Sequence, residues 1–257
     1  MLAQQRQAAI VERVLADGGV RVAQLVAELG VSDMTIRRDL EMLAERGLIA
    51  KVHGGATAPV TGSTDEPGFV AKAALQLAEK AAIADAAAAL VKPGTAIALS
   101  AGTTTAALAH RLVDVPRLTI ITNSIPVADV FYRSDRGDQT VVLTGGVRTP
   151  SDALVGPVAV TAMRSLHVDM LFLGVHGMNE HAGFTTSNLM EAEINRALVA
   201  SASQLVVVAD HTKWGMTGVS SMAELDDATM LVTDSGLPSA VVKRLSERIE
   251  NVIVGAP

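Results

Sequence analysis

Seven short apolar runs, at residues 96–99, 118–122, 140–143, 169–173, 205–209, 230–232 and 252–254, recur through the latter part of the 257-residue chain. Helical stretches lie between most of them, at 104–112, 125–133, 156–166, 189–202 and 238–248. Strands joined through a helix come out parallel, because the crossover carries the chain back to the end from which it set out. Runs apolar on both faces suit a sheet that helices cover on each side. The alternation therefore predicts an α/β domain with a mostly parallel sheet. No repeat of 20–50 residues interrupts it.

In such a sheet ligands bind beyond the carboxyl ends of the strands, so the residues that follow each run matter most. Ser100-Ala101-Gly102-Thr103-Thr104-Thr105 follows the first run and leads straight into a helical stretch. A glycine, three hydroxyls and the free N–H groups of a helix start suit a phosphate. The plainer reading, a helix cap, needs only one threonine, and both readings stand. The loop is no Walker motif, because no GK[ST] is present. Asn123-Ser124 follows the second run, and Thr144-Gly145-Gly146 with Arg148 and Asp152 the third. Gly174-Val175-His176-Gly177 follows the fourth and Asp210-His211-Thr212-Lys213 the fifth. Several strands thus end in glycine or small polar residues, which points to one ligand site along that edge.

Ahead of this domain, residues 31–56 read VSDMTIRRDLEMLAERGLIAKVHGGA. Ser32 is a good helix N-cap. Ile36, Leu40 and Leu43 form one apolar stripe at helical spacing. Arg38 lies most nearly opposite the stripe with Met34 beside it, and Thr35 and Arg37 sit on the flanks. Glu41 and Glu45, which phosphates would repel, fall in the C-terminal half. That polarity suits a helix entering a DNA major groove by its N-terminal residues. Gly47 can end the helix. Residues 48–53 then read as a strand and Gly54-Gly55 as the turn of a hairpin, whose Lys51 and His53 could reach phosphate or the minor groove. An isolated Arg-Arg pair is more often a solvated surface; here helix, cap and hairpin agree on DNA contact.

Two more helices precede this stretch, at 6–16 and 22–29. Gly18-Gly19 stops the first. Val20 and Arg21 are poor caps, so the second is expected to fray at its start. Residues 1–57 read as one small domain, 58–68 (APVTGSTDEPG) as a linker, and 69–257 as the larger domain, opening with a long helix or helix pair over 69–90. Lys72 and Lys80 there either face the ligand site or are solvated or paired with acids such as Glu79.

Composition bounds the function. Hydrophobic residues make up 49% of the chain but aromatics only 2%, so the core must be aliphatic. The absence of cysteine excludes disulfides, thiolate nucleophiles and thiolate metal sites. No signal peptide or membrane span is read, and the alanine-rich run at 81–91 is broken by Asp85. The net charge of −6 speaks at first against nucleic acid, yet residues 1–57 carry seven basic against seven acidic side chains, and the acidic excess lies beyond them. DNA affinity would come from a few placed cations and from pairing of copies.

TIRRDLEMLAERGLI followed by HGGA resembles the N-terminal signature of the DeoR family of bacterial transcription regulators. LSAGTTTAALAHRL, LTIITNSIPVA, VVLTGG, DALVGP, GVHGM, LMEAEINRALVASA and VVVADHTKWG are similar, in order, to that family's sensor domain, so the resemblance covers almost the whole chain. It implies a winged helix-turn-helix with Ser32, Thr35, Arg37 and Arg38 near DNA. It also implies a second domain that resembles ribose-5-phosphate isomerase in fold and senses phosphorylated sugars or related metabolites. On that resemblance Gly102, Thr103, Thr104 and Thr105, in the loop that Ser100 opens, would hold the phosphate. Asn123, Asp152, Glu191 and Lys213 would address the sugar's hydroxyl or carbonyl end. Three positions depart from the pattern. Lys51 stands where the family often has arginine, which weakens a forked phosphate contact. His176 replaces an acid of the isomerase and a small or polar residue of the regulators, so it either binds an anionic group or packs as a donor. Asn195 lies near a common lysine.

The expected protein is a cytoplasmic, sequence-specific DNA-binding regulator. It acts as a repressor on a double-stranded operator, works as a homo-oligomer, and is released by a phosphorylated sugar or related metabolite. No cofactor, metal or membrane partner is expected. The alternative is a sugar-phosphate isomerase-like enzyme, with Glu191 and Lys213 as an acid/base pair. That reaction would need a carboxylate where His176 stands, and it has no use for a winged helix. His167, His176, His181 and His211 are not at zinc-site spacing, and Asp210-His211 lacks a GxSxG serine.

Overall fold

The computed structural model describes residues 2–45, 47–57, 68–134 and 136–256. The chain divides into two compact units, Met1–Leu75 and Gln76–Pro257. Of the linker expected at 58–68, only Gly68 lies within the described residues.

In the first unit α1 (Ala3–Asp17), α2 (Val22–Leu29) and α3 (Asp33–Glu45) bury Ile10, Val14, Leu25, Ile36, Leu40 and Leu43 against one another. Gly30, with φ 64°, makes the left-handed turn into α3 that a side chain would resist. The second half of the unit is a three-stranded antiparallel sheet, in order β1 (Gly19–Arg21), β3 (Gly55–Thr57), β2 (Ala50–Val52). The hairpin was legible but β1 was not. Its presence moves the turn to His53-Gly54 and puts Gly55 inside a strand. There a Cβ would stand 2.1 Å from the carbonyl oxygen of Val20, so only glycine allows β3 to cross β1. The fraying expected of α2 is not seen. The Gln24 side chain accepts the Arg21 N–H at 2.9 Å, and the Gly54 carbonyl accepts the Val22 N–H at 2.9 Å, so the wing satisfies donors at the helix start. A short helix, α4 (Phe69–Ala73), follows, and Leu75 packs on this unit's core, so the contact boundary falls beyond residue 69.

The second unit opens with α5 (Leu77–Ala88), set off from α4 by Gln76 in the left-handed region. There follow β4 (Ala96–Leu99), α6 (Thr103–Leu112), β5 (Thr119–Thr122), α7 (Ile125–Arg133), β6 (Thr140–Leu143), β7 (Val147–Arg148), β8 (Leu154–Val155) and α8 (Pro157–Met163). The chain continues through β9 (Val168–Gly174), β10 (Gly177–Asn179), β11 (Gly183–Thr186), α9 (Leu189–Ser201) and β12 (Ala202–Val208). It ends with β13 (Ser220–Ala223), β14 (Met230–Asp234), α10 (Ser239–Leu245) and β15 (Asn251–Gly255). The seven expected strands form one parallel sheet in the order β15-β14-β12-β9-β4-β5-β6. From β4 the chain builds outward to β6, then returns to β9 and builds the other way. The switch between β4 and β9 opens a crevice at their carboxyl ends. Phe172 and Phe184 are fully buried. Two antiparallel sheets, β10-β11-β13 and β7-β8, were not foreseen.

Candidate DNA-binding face and candidate effector site

α3 begins as its sequence dictates. The Ser32 hydroxyl accepts the Thr35 N–H at 3.2 Å and lies 2.8 Å from the Thr35 hydroxyl. With Ile36, Leu40 and Leu43 facing inward, the outer face shows Met34, 80% exposed, together with Arg37 and Arg38. Arg38 makes no ion pair among the described residues. Arg37 is tied to Asp33 one turn back, Nε to Oδ1 at 2.5 Å, and that bond raises its guanidinium pKa. Lys51 reaches Glu41 on α3 at 2.6 Å, and the ammonium holds the Glu41 carboxyl below its usual range. Glu41 therefore does more than repel phosphate: it neutralises the wing's lysine. His53 is exposed at the hairpin turn. Beneath this face, buried Asp39 accepts from Arg6 Nε at 2.6 Å and from Gln7 Nε2 at 3.0 Å, tying α1 to α3. Asp39 lies three residues from Ile36 and four from Leu43, beside the apolar stripe, and only the partners that α1 brings show why a carboxylate is buried there.

In the second unit, the loop between β4 and α6 lies at the switch. Ser100 is fully buried and its Oγ accepts the Gly174 N–H at 2.9 Å, joining this loop to the end of β9. Thr105 is equally buried, and its hydroxyl lies 2.7 Å from the Ser100 carbonyl and 2.9 Å from that of Gly102. Asn123 takes the Ala101 N–H on Oδ1 at 2.9 Å and donates from Nδ2 to the Leu154 carbonyl at 3.3 Å. The polar atoms of these three residues shape the backbone. Between them Thr103 and Thr104 begin α6, and their hydroxyls make no hydrogen bond among the described residues.

Asp152, with φ 58°, sits in the β7–β8 loop and pairs with Arg148 at 2.6 Å. Glu191, buried near the start of α9, accepts from the Thr149 hydroxyl of the same loop at 2.8 Å. His176 follows β9 and gives its N–H to the Thr185 carbonyl at 2.9 Å. The bonds so far link the loops after β4, β5 and β9 with the β7–β8 loop and α9. Lys213 is half-buried after β12, and among the described residues no hydrogen bond or ion pair joins its side chain to the 102–105 loop. Lys80 is buried on α5, not solvated. Asn195 is buried, with Nδ2 3.0 Å from Met222 Sδ and Oδ1 without a hydrogen-bond partner among the described residues.

One arrangement was missed. Asp234, at the end of β14, takes the His211 N–H on Oδ1 and lies 2.7 Å from His211 Nδ1 with Oδ2, while the Gly236 N–H adds a third bond. Only the pairing of β12 with β14 brings these residues together, and nothing local in the sequence announces it.

A helix with an exposed arginine face, followed by a wing, defines a helix-turn-helix DNA-binding module, here joined to a parallel α/β domain. Residues 6–61 match the DeoR-like helix-turn-helix domain and residues 75–235 the DeoR C terminal sensor domain. The chain belongs to the DeoR family of DNA-binding transcriptional regulators. It is 35% identical to the uncharacterized HTH-type transcriptional regulator YgbI of Escherichia coli (strain K12), over 99% of this chain and 98% of that one. It is 32% identical to the transcriptional repressor AccR of Agrobacterium fabrum, over 98% and 97% respectively. Among solved structures it overlaps partly with ribose 5-phosphate isomerase A from Methanocaldococcus jannaschii, at 19% identity and a TM-score of 0.38 over 52% of this chain and 53% of that one. That overlap says nothing about activity. No described helix is long and apolar enough to cross a membrane.

Proposed function

We propose that this DeoR-family regulator is a sequence-specific repressor, working in the cytoplasm, that a phosphorylated sugar or related metabolite releases from its operator. Met34, Thr35, Arg37 and Arg38, with Ser32 at the helix start, enter the major groove of double-stranded DNA. Lys51 and His53 reach the flanking backbone. A homo-oligomer presents two such helices to half-sites about one helical turn, or a multiple of it, apart.

The effector's phosphate takes the start of α6. Thr103 and Thr104 donate to it, while Gly102, Ser100, Thr105 and Asn123 hold the loop in shape. Asp152, His176, Glu191 and Lys213 address the remainder of the molecule. The observation that carries this reading is the contrast within one loop: hydroxyls bonded to backbone on either side, and two threonine hydroxyls between them that make no hydrogen bond among the described residues, at the sheet's switch point. Release requires the effector to bind the DNA-free arrangement more tightly than the DNA-bound one.

A thermal-shift screen of the full chain against phosphorylated sugars tests it. A true effector raises the melting temperature, because only the folded state binds it, and lowers the affinity of a gel-shifted operator fragment. A compound that is turned over instead would make the protein an enzyme and end the proposal. So would a full panel with no shift.

A further inference from the structure

The β6 edge of the seven-stranded sheet carries apolar surface that one chain leaves open. β6 is hydrogen-bonded only on its β5 side among the described residues. Its sequence, Thr140-Val141-Val142-Leu143, is that of an interior strand. Val142 packs on the core, while Val141 and Leu143 remain 37% and 43% exposed. Sheet edges are normally blunted by charge, proline or a bulge, and these four residues include neither charge nor proline. Beside the strand, α7 turns Asp129, Tyr132 and Arg133 outward. Tyr132 is the chain's single tyrosine, and it is 85% exposed. It stands at a groove of about 570 Å³ that Ala128, Phe131, Arg136, Gln139 and Val141 also line.

We propose that this face is a two-fold interface with a second copy of the chain. The two β6 edges lie antiparallel, and Tyr132 of each copy seats in the other's groove. The features point to a copy of the same chain in three ways. A two-fold contact uses one patch twice, and here that patch holds both a protruding aromatic ring and, beside it, a groove of mixed lining with Ala128, Phe131 and Val141 as its apolar wall. An open strand edge is self-complementary in hydrogen bonds when it meets its own copy reversed. The charges also match themselves: Asp129 and Arg133 lie one turn apart on α7, paired at 3.4 Å within the chain. A reversed copy of α7 sets each acid against the other copy's arginine, exchanging two internal pairs for two across the interface. The opposite edge offers less: β15 exposes Val254, but neither it nor α5, which packs beside it, carries an aromatic side chain.

This inference rests on the reading that the regulator works as a homo-oligomer, and the test separates the two. Sedimentation equilibrium on the full chain compares wild type with Tyr132→Arg and Val254→Arg, and circular dichroism melts confirm that each is folded. The expected result is an oligomeric wild type, an unchanged Val254→Arg, and at least about thirtyfold weaker association for Tyr132→Arg, the loss typical of an aromatic anchor. Asp129→Arg is expected to weaken association, and adding Arg133→Asp to restore it. A monomeric wild type would overturn both the oligomer reading and this interface. An oligomeric wild type that Tyr132→Arg leaves intact would overturn the interface alone.

Discussion

The recognition helix and the loop that opens α6 use the same kinds of polar residue to opposite ends. On α3 the side chains project: Met34 and Arg38 are exposed, Arg38 makes no ion pair among the described residues, and Arg37 holds a neighbouring acid at the surface. In the β4–α6 loop the side chains of Ser100 and Thr105, with Asn123 beside them, are buried and bonded to backbone. On the helix a substitution can alter what is bound while leaving the fold alone. In the loop most substitutions alter the fold first, and only Thr103 and Thr104 escape that rule.

The largest expected effect tests the loop's role as frame. Asn123→Ala leaves the Ala101 N–H and the Leu154 carbonyl without their partner in a buried place, a loss of about 2–4 kcal/mol in urea unfolding. A loss near zero would make Asn123 a contact residue in waiting, and the contrast with α3 would fail. Next, Arg38→Ala is expected to weaken operator binding by about 5–150-fold in gel shifts with an unchanged melting temperature. A drop in melting temperature would show that the helix face is structural too. Thr104→Val sharpens the comparison from the other side. It replaces a buried hydroxyl that makes no hydrogen bond among the described residues with a methyl group, so stability should hold or rise, while the melting rise caused by a bound sugar phosphate disappears. Equal damage to DNA binding would mean that the division of labour is wrong.

The smallest effect concerns the wing. Lys51 depresses the Glu41 pKa, so their pair is intact at neutral pH and is lost only as pH falls through that lowered value. Glu41→Gln at neutral pH should therefore release Lys51 for phosphate. DNA binding should tighten by less than about fivefold, since exposed pairs are weak, and should become steeper in salt. The same change at Glu45, exposed on the same helix and without an ion pair among the described residues, should do less. Equal gains would reduce the effect to net charge.

Much of this architecture was legible because burial writes itself into periodicity. All seven parallel strands and five of the helices that follow them could be read from apolar runs, and Ser32, Ile36, Leu40 and Leu43 declared α3 by cap and stripe. What escaped notice was short or assembled from afar. β1 spans only Gly19–Arg21 and pairs with Gly55–Thr57, so neither segment shows a strand's alternation. The β10-β11-β13 sheet is built from three- and four-residue pieces, one of them far along the chain. For the candidate site, sequence could gather the polar residues at strand ends but could not sort them. Thr104 and Thr105 are the same residue type in the same helical turn. Which hydroxyl is spent on the Ser100 carbonyl depends on where the backbone runs. The Asp234–His211 arrangement lay out of reach for the same reason, since it exists only once β14 has been laid beside β12.

The Gly54 carbonyl that receives the Val22 N–H has a mechanical consequence. Together with the tight passage of Gly55 over Val20, it bolts the hairpin to the second helix, leaving no joint between them. The hairpin and the three helices must then swing as one solid lever. Lifting the hairpin away would leave the Val22 N–H without its acceptor, so it cannot part from the second helix without cost.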